Sequence, residues 1–160
     1  MDEKEREFEE SLEKVMELLL EKKYFRARDE LLKFNQGYRS VTLDISHAAT
    51  SGSDALAMAR ALGPTLCHLH LTDGVPGFRD DHLLPGQGNQ DCAGVLAHLA
   101  ATGFEAGGGQ VVVEVNTRGM SGAQRREGLA SALAFAREHL EGTGDAPVRI
   151  PPPTRKRYRS

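Results

Sequence analysis

The sequence predicts an α/β protein. About three parallel strands are joined by crossover helices and preceded by a long amphipathic helix or helical hairpin. Three observations predict this. Short, β-branched apolar runs recur at VTLDI, TLCHLHL and QVVVEV. Helix-length segments lie between and after them. Parallel neighbours require a crossover, so regular alternation of strand and helix is the pattern of a parallel sheet.

Residues 1–36 form a charged amphipathic segment. Phe8, Leu12, Val15, Met16 and Leu19 recur at helical spacing. Glu10 and Lys14 lie four residues apart on another face. The pattern predicts one helix, or two broken near Lys22–Tyr24, with Tyr24, Phe25, Leu31, Leu32 and Phe34 extending the apolar face. The plain reading of such a segment is packing or oligomerisation. Gly37 stops the helix.

Residues 37–142 carry the α/β unit. VTLDI (41–45) reads as a buried parallel strand. Asp54–Leu62 reads as a helix, with Ser53 or Asp54 near its N-cap. TLCHLHL (65–71) is the second strand, followed by a long Gly/Pro loop from Thr72 to about Asn89. Cys92–Thr102 is a helix ending at Gly103. QVVVEV (110–115) is the third strand. Ala123–Leu140 is a long helix with Leu129, Leu133 and Leu140 on its apolar side. Residues 143–160 hold three consecutive prolines and a basic end, which predicts a flexible tail.

Composition narrows the function classes. The 160 residues suit one domain with a real core. Apolar residues at 39% and charged residues at 27% suit a soluble globular protein. No apolar run approaches the roughly 18 residues of a membrane span. MDEKEREFEE has no apolar signal core, so secretion is not expected. Cys67 and Cys92 are too few for a disulfide framework and lie outside any CxxC, which predicts reduced thiols in the cytoplasm. The net charge of −3 gives no global pull toward nucleic acid or an anionic membrane.

Parallel α/β proteins place their ligands at the carboxyl ends of the strands. The first strand ends at Asp44, three residues before His47. The second brings His68 and His70 and runs on to Asp73, and the third carries Glu114. Each has a plainer alternative. Asp44 could cap a turn, and His70 could be a core histidine bonded to a carbonyl. Glu114 is harder to dismiss, because a carboxylate within an apolar strand is costly unless paired or metal-bound. Together, carboxylates and imidazole suit Zn²⁺, Mn²⁺, Co²⁺ or Mg²⁺. In HLHL, residues 68 and 70 share one side. His70, nearer the carboxyl end, is the better ligand, and His68 is a supporting or core group. Asp80 and His82 lie two apart in DDHLLPGQG. They could grip one ion, orient one substrate, or decorate a surface loop. Gly86 and Gly88 permit a tight turn and close backbone approach.

From about Tyr38 to Leu140 these motifs resemble the xylose isomerase-like TIM barrel superfamily, on its sugar phosphate isomerase/epimerase branch. The DxxH motif is Asp44-Ile-Ser-His47, and HxHxxD is His68-Leu-His70-Leu-Thr-Asp73. The DxHLxPGxG loop runs from Asp80 through His82 to Gly86 and Gly88, and the closing strand is VVVEV with Glu114. The helix after it, LASALAFAREHL, is similar too. The resemblance implies a partial (β/α) TIM-barrel-like unit matching the last three strands. It implies Asp44, His70 and Glu114 as ligands of a divalent metal. His47, Asp80 and His82 resemble the endonuclease members' additional zinc set, and in isomerases they would touch substrate. Glu114 and His47 are then the expected catalytic groups.

The implied activity is metal-dependent isomerisation or epimerisation of a sugar or hydroxy-carbonyl compound. Two other readings stand beside it. One is a non-enzymatic half-barrel or oligomerisation module. The other is a zinc-dependent apurinic endonuclease-like phosphodiesterase, disfavoured because basic residues cluster in the tail, away from the motifs. A complete barrel has eight strands and about 250 residues. The family's glutamate ligand from the preceding strand has no counterpart here. A fragment or chimera with an incomplete site is therefore expected. Bare sheet edges, or the apolar face of residues 8–34, predict a homo-oligomer.

Overall fold

The computed structural model describes residues 3–34 and 40–140. Gly37 and the tail 143–160 lie outside the described residues, as do the side chains of Leu31, Leu32 and Phe34. The chain opens with two helices, α1 (Glu3–Leu20) and α2 (Tyr24–Phe34). There follow β1 (Val41–Asp44), α3 (Ile45–Thr50), α4 (Ala55–Leu62) and, after a 3-10 turn over Gly63–Thr65, β2 (Leu66–Leu71). Then come α5 (Cys92–Ala101), β3 (Gln110–Val113) and α6 (Gly122–Leu140). No helix among the described residues is long and apolar enough to cross a membrane.

The three strands form one parallel sheet in the order β1-β2-β3. Asp44 pairs with His70, and His70 pairs with Val112, so the sheet's last full row runs through His70. Alternation divides β2 between two environments. Leu69 and Leu71 point into the helices and are fully buried, in one core with Leu43, Ile45, Val95 and Leu96. Each such side chain stabilises the fold by about 1.5–3 kcal/mol relative to exposure. His68 and His70 share the other face with Thr42 and Val112, and Val112 is 42% exposed. In a closed barrel this face lines the interior.

Several boundaries differ from the sequence reading. The first strand stops at Asp44, because Ile45 begins α3. Asp44 Oδ1 caps that helix by accepting the His47 backbone N–H at 3.0 Å. The third strand stops at Val113, so Glu114 sits just past the strand end with its side chain 48% exposed. The cost of burying a carboxylate in a strand is therefore not what fixes its partners. The N-terminal helix is broken after Leu20, giving two helices. Its buried face is Ser11, Val15 and Leu18, whereas Phe8, Leu12 and Met16 are exposed. On α6 the buried residues are Gly128, Ala132 and Ala136, whereas Leu129 and Leu133 are exposed. Small residues let α6 approach closely, and a Cβ at Gly128 would already touch Leu84. Both cysteines are free, with Cys92 buried and Cys67 half-buried.

Candidate metal centre

Four backbone segments deliver polar groups to one rim, at the carboxyl ends of the strands. Asp44 ends β1, and its two oxygens do different work. Oδ1 caps α3, while Oδ2 lies 3.0 Å from His70 Nδ1. The capping reading of Asp44 is thus realised, and its second oxygen is left facing His70. His70 ends the polar side of β2, and its Nδ1 is also 2.6 Å from Glu114 Oε2. The His68 ring meets the His70 ring edge-on at 5.0 Å, so His68 supports that imidazole and is half-buried rather than a core group.

The loop after β2 is built by Asp73, which is fully buried. Its carboxylate accepts backbone N–H groups from Gly74 (2.8 Å), Gly86 (2.9 Å), Gly88 (2.9 Å) and Gln90 (3.2 Å). A Cβ at Gly88 would collide with the Gly74 carbonyl oxygen and with Asp73 Oδ1. Only glycine allows that approach. Asp73 and Leu83 also exchange backbone hydrogen bonds of 2.8 Å each way. These bonds carry His82 back to the strand ends in a left-handed conformation, φ 46°.

The second cluster lies against the first. Asp80 Oδ2 is 2.8 Å from His47 Nε2, and Asp80 Oδ1 is 3.1 Å from His82 Nδ1. Ser46, fully buried, donates its hydroxyl to Asp80 Oδ1 at 2.6 Å and accepts the His82 backbone N–H at 3.2 Å. Sequence reasoning missed Ser46, although it stands inside the Asp44–His47 motif. Asn116 was missed too, and its N–H donates to the His82 carbonyl at 2.7 Å. Burial works to raise the Asp80 carboxyl. The Ser46 hydrogen bond and the charges of His82 and His47 outweigh it, leaving that carboxyl below the usual range.

The donor set fits a divalent cation. His82 Nε2 is buried and has no hydrogen-bond partner among the described residues. It lies 3.5 Å from Asp44 Oδ2 and 3.7 Å from Glu114 Oε1, too far for hydrogen bonds. Donors about 2.0–2.2 Å from one tetrahedral ion stand roughly 3.3–3.6 Å apart, so this spacing suits a shared cation. A neutral imidazole offers one N–H, yet two carboxylate oxygens crowd His70 Nδ1. Two groups, Asp44 with His70 and Glu114, and Asp44 with His47 and His82, each hold their donor atoms within 4.8 Å of one another. All six residues predicted for the metal or substrate therefore come together around Asp44. Beside them opens a cleft of about 290 Å³ lined by Asp80, His82, Glu114, Val115, Asn116 and Arg118.

Comparison with known proteins adds an independent line. The sequence pattern of the xylose isomerase-like TIM barrel family matches residues 29–139. A Mycobacterium bovis protein described only as uncharacterized is 52% identical over 100 residues, covering 62% of this chain and 35% of that protein. An uncharacterized Mycobacterium tuberculosis protein matches to the same extent. One from Mycobacterium leprae is 48% identical over 100 residues, with the same coverage. The chain thus spans about a third of the length of the curated relatives it matches. No solved structure matches it.

Proposed function

The chain belongs to the xylose isomerase-like TIM barrel family, and from that premise we propose that it carries the metal-binding part of an isomerase or epimerase site. The substrate class is a small sugar or hydroxy-carbonyl compound. The observation that carries the proposal is the buried His82 Nε2, without a hydrogen-bond partner among the described residues and lying near the carboxylates of Asp44 and Glu114. Asp44, His70 and Glu114 would hold Zn²⁺, Mn²⁺, Co²⁺ or Mg²⁺, with His82 beside them. Such an ion supplies Lewis-acid polarisation of a substrate carbonyl.

The protein's own groups supply the rest. His47 would move a proton on a bound substrate, a reading supported by its 65% exposure at the solvent side of the rim. Asp80 orients the His47 ring, and Ser46 fixes Asp80. Glu114 is the second group able to accept a proton, from its half-exposed position beside the cleft. The two free thiols support a cytoplasmic setting.

Two further readings each have one supporting observation. A half-barrel or oligomerisation module is supported by the exposed sheet face at Val112. A homo-oligomer suits either this reading or the enzyme. A zinc-dependent phosphodiesterase is supported by the second donor group, Asp44 with His47 and His82. A polyanion would meet the carboxylates of Asp80 and Glu114 at the cleft, with Arg118 the one arginine or lysine lining it among the described residues.

The test is a calorimetric titration of Zn²⁺, Mn²⁺ and Co²⁺ into metal-stripped protein, followed by isomerisation assays on a panel of aldoses and ketoses with and without the ion. Saturable binding and metal-dependent interconversion support the proposal. Binding without turnover favours the module reading. Cleavage of an abasic oligonucleotide favours the phosphodiesterase.

A further inference from the structure

α1 presents more apolar surface than α2 covers. The hairpin between them buries Val15, Leu18 and Ala27, with Leu19 partly buried. A quarter-turn away, a second stripe stays exposed: Leu12 is 47% exposed, Met16 54% and Leu20 73%, with Phe8 at 53% continuing the line. These residues recur every fourth position, so they form one ridge about 18 Å long. Phe25, 59% exposed, follows from the start of α2. Contiguous apolar surface on this scale marks an interaction site rather than scattered exposure. Residues 3–28 precede the family-matched span 29–139, so the ridge belongs to an element additional to that unit.

The charge distribution selects the occupant. Residues 3–13 hold six glutamates against Lys4 and Arg6. The far end of the hairpin reverses the sign, with Lys22, Lys23 and Arg26 against Glu21. A parallel partner helix of the same kind would set glutamates against glutamates. An antiparallel one sets the acidic end of each against the basic end of the other. The ridge is also self-complementary in that orientation. With the crossing at residue 14, Phe8 of one copy meets Leu20 of the other, and Leu12 meets Met16.

We propose that the exposed face of α1 is a homodimer interface, which seats the α1 of a second copy antiparallel about a two-fold axis. Such an isologous contact closes on itself and yields dimers rather than chains. One helix pair falls below the roughly 1,200 Å² of standard interfaces, so the dimer is weak and concentration-dependent. It leaves the sheet face and the candidate metal centre untouched, because those residues lie on other elements.

Sedimentation equilibrium of the full chain over a wide concentration range tests this. The expected result is a monomer–dimer equilibrium between 17.4 kDa and twice that mass. Met16→Glu should weaken it by more than about tenfold, the effect of roughly 1.4 kcal/mol. Met16 is half-exposed, so that variant should keep the wild-type circular dichroism and melting temperature. Val112→Lys, on the bare sheet face, should leave the dimer intact. Higher salt should weaken association, because the end-to-end charges are exposed. A monomer at every concentration overturns the proposal. So does association that Val112→Lys abolishes and Met16→Glu leaves unchanged, which would place the contact on the sheet.

Discussion

His82 Nε2 and Asp44 Oδ2 lie 3.5 Å apart with no hydrogen bond between them, although that nitrogen is buried. A buried polar atom without a partner costs about 1–3 kcal/mol. The loop nevertheless delivers it there, at a left-handed φ of 46° that a non-glycine residue seldom adopts. A cation between the two side chains would turn this arrangement from a cost into a site.

Substitution should therefore separate binding from folding. His70→Ala and Glu114→Ala should each weaken metal affinity at least about tenfold. His82→Asn, which tolerates the left-handed backbone, should do the same and lower the stability of the metal-free protein by no more than about 1 kcal/mol. Calorimetry with parallel thermal melts checks both. Unchanged affinity in all three variants would remove these residues from the centre.

Asp73 should behave as a structural residue. Asp73→Ala leaves the backbone N–H groups of Gly74, Gly86, Gly88 and Gln90 without their acceptor. The expected loss is about 3 kcal/mol or more in urea unfolding. Gly88→Ala should cost a similar amount through its collision with Gly74. A loss under about 1 kcal/mol in both would mean that the loop can repack.

The Asp80 carboxyl sets a pH dependence with a definite sign. Its value in the fold is lowered from the ordinary 3.8. The unfolded chain therefore binds the proton more tightly than the folded one. Its contribution to stability is full above the ordinary carboxylate range and is lost as pH falls through the lowered value. Ser46→Ala removes the hydroxyl that donates to Asp80. The pH dependence of the melting temperature between about pH 5 and pH 2 should then flatten. An identical profile in wild type and Ser46→Ala would contradict the assignment.

The two thiols should differ in reactivity. Burial, with Asp73 beside it, pushes the Cys92 thiol up from 9.0 to about 12. It stays protonated and inert at neutral pH. A disulfide-exchange reagent should label Cys67 in the folded protein and reach Cys92 only after unfolding. Equal labelling rates in the native state would contradict the burial of Cys92.

The sheet and the clustering of most candidate residues were legible because strand alternation and strand-end placement are both local in sequence. HLHL separates His68 and His70 from Leu69 and Leu71 onto opposite faces with no further information. Asp44, His47 and Glu114 follow from the rule that parallel sheets carry their ligands at carboxyl ends. Helix faces were less legible. Met16 and Val15 are equally apolar to a periodicity argument, and only the position of α2 decides which is covered. On α6, Ala132 and Gly128 pack where Leu129 and Leu133 were expected, because close approach favours small residues. Ser46 and Asp73 act through the tertiary course of the loop over residues 72–89, so no short-range pattern announces their partners. Glu114 lies within the candidate cluster, but the reason given for singling it out, a carboxylate inside an apolar strand, is not one the fold supplies, since it sits beyond the strand and half-exposed.

The most direct test of the proposed metal centre is metal stoichiometry. The untagged protein is purified without chelators, and its bound metal is measured by mass spectrometry and by calorimetric titration after stripping. The expected result is saturable binding of a divalent ion near one per chain, which Asp44→Asn abolishes while the fold remains intact by circular dichroism. A folded protein that binds no divalent ion under any of these conditions would contradict it.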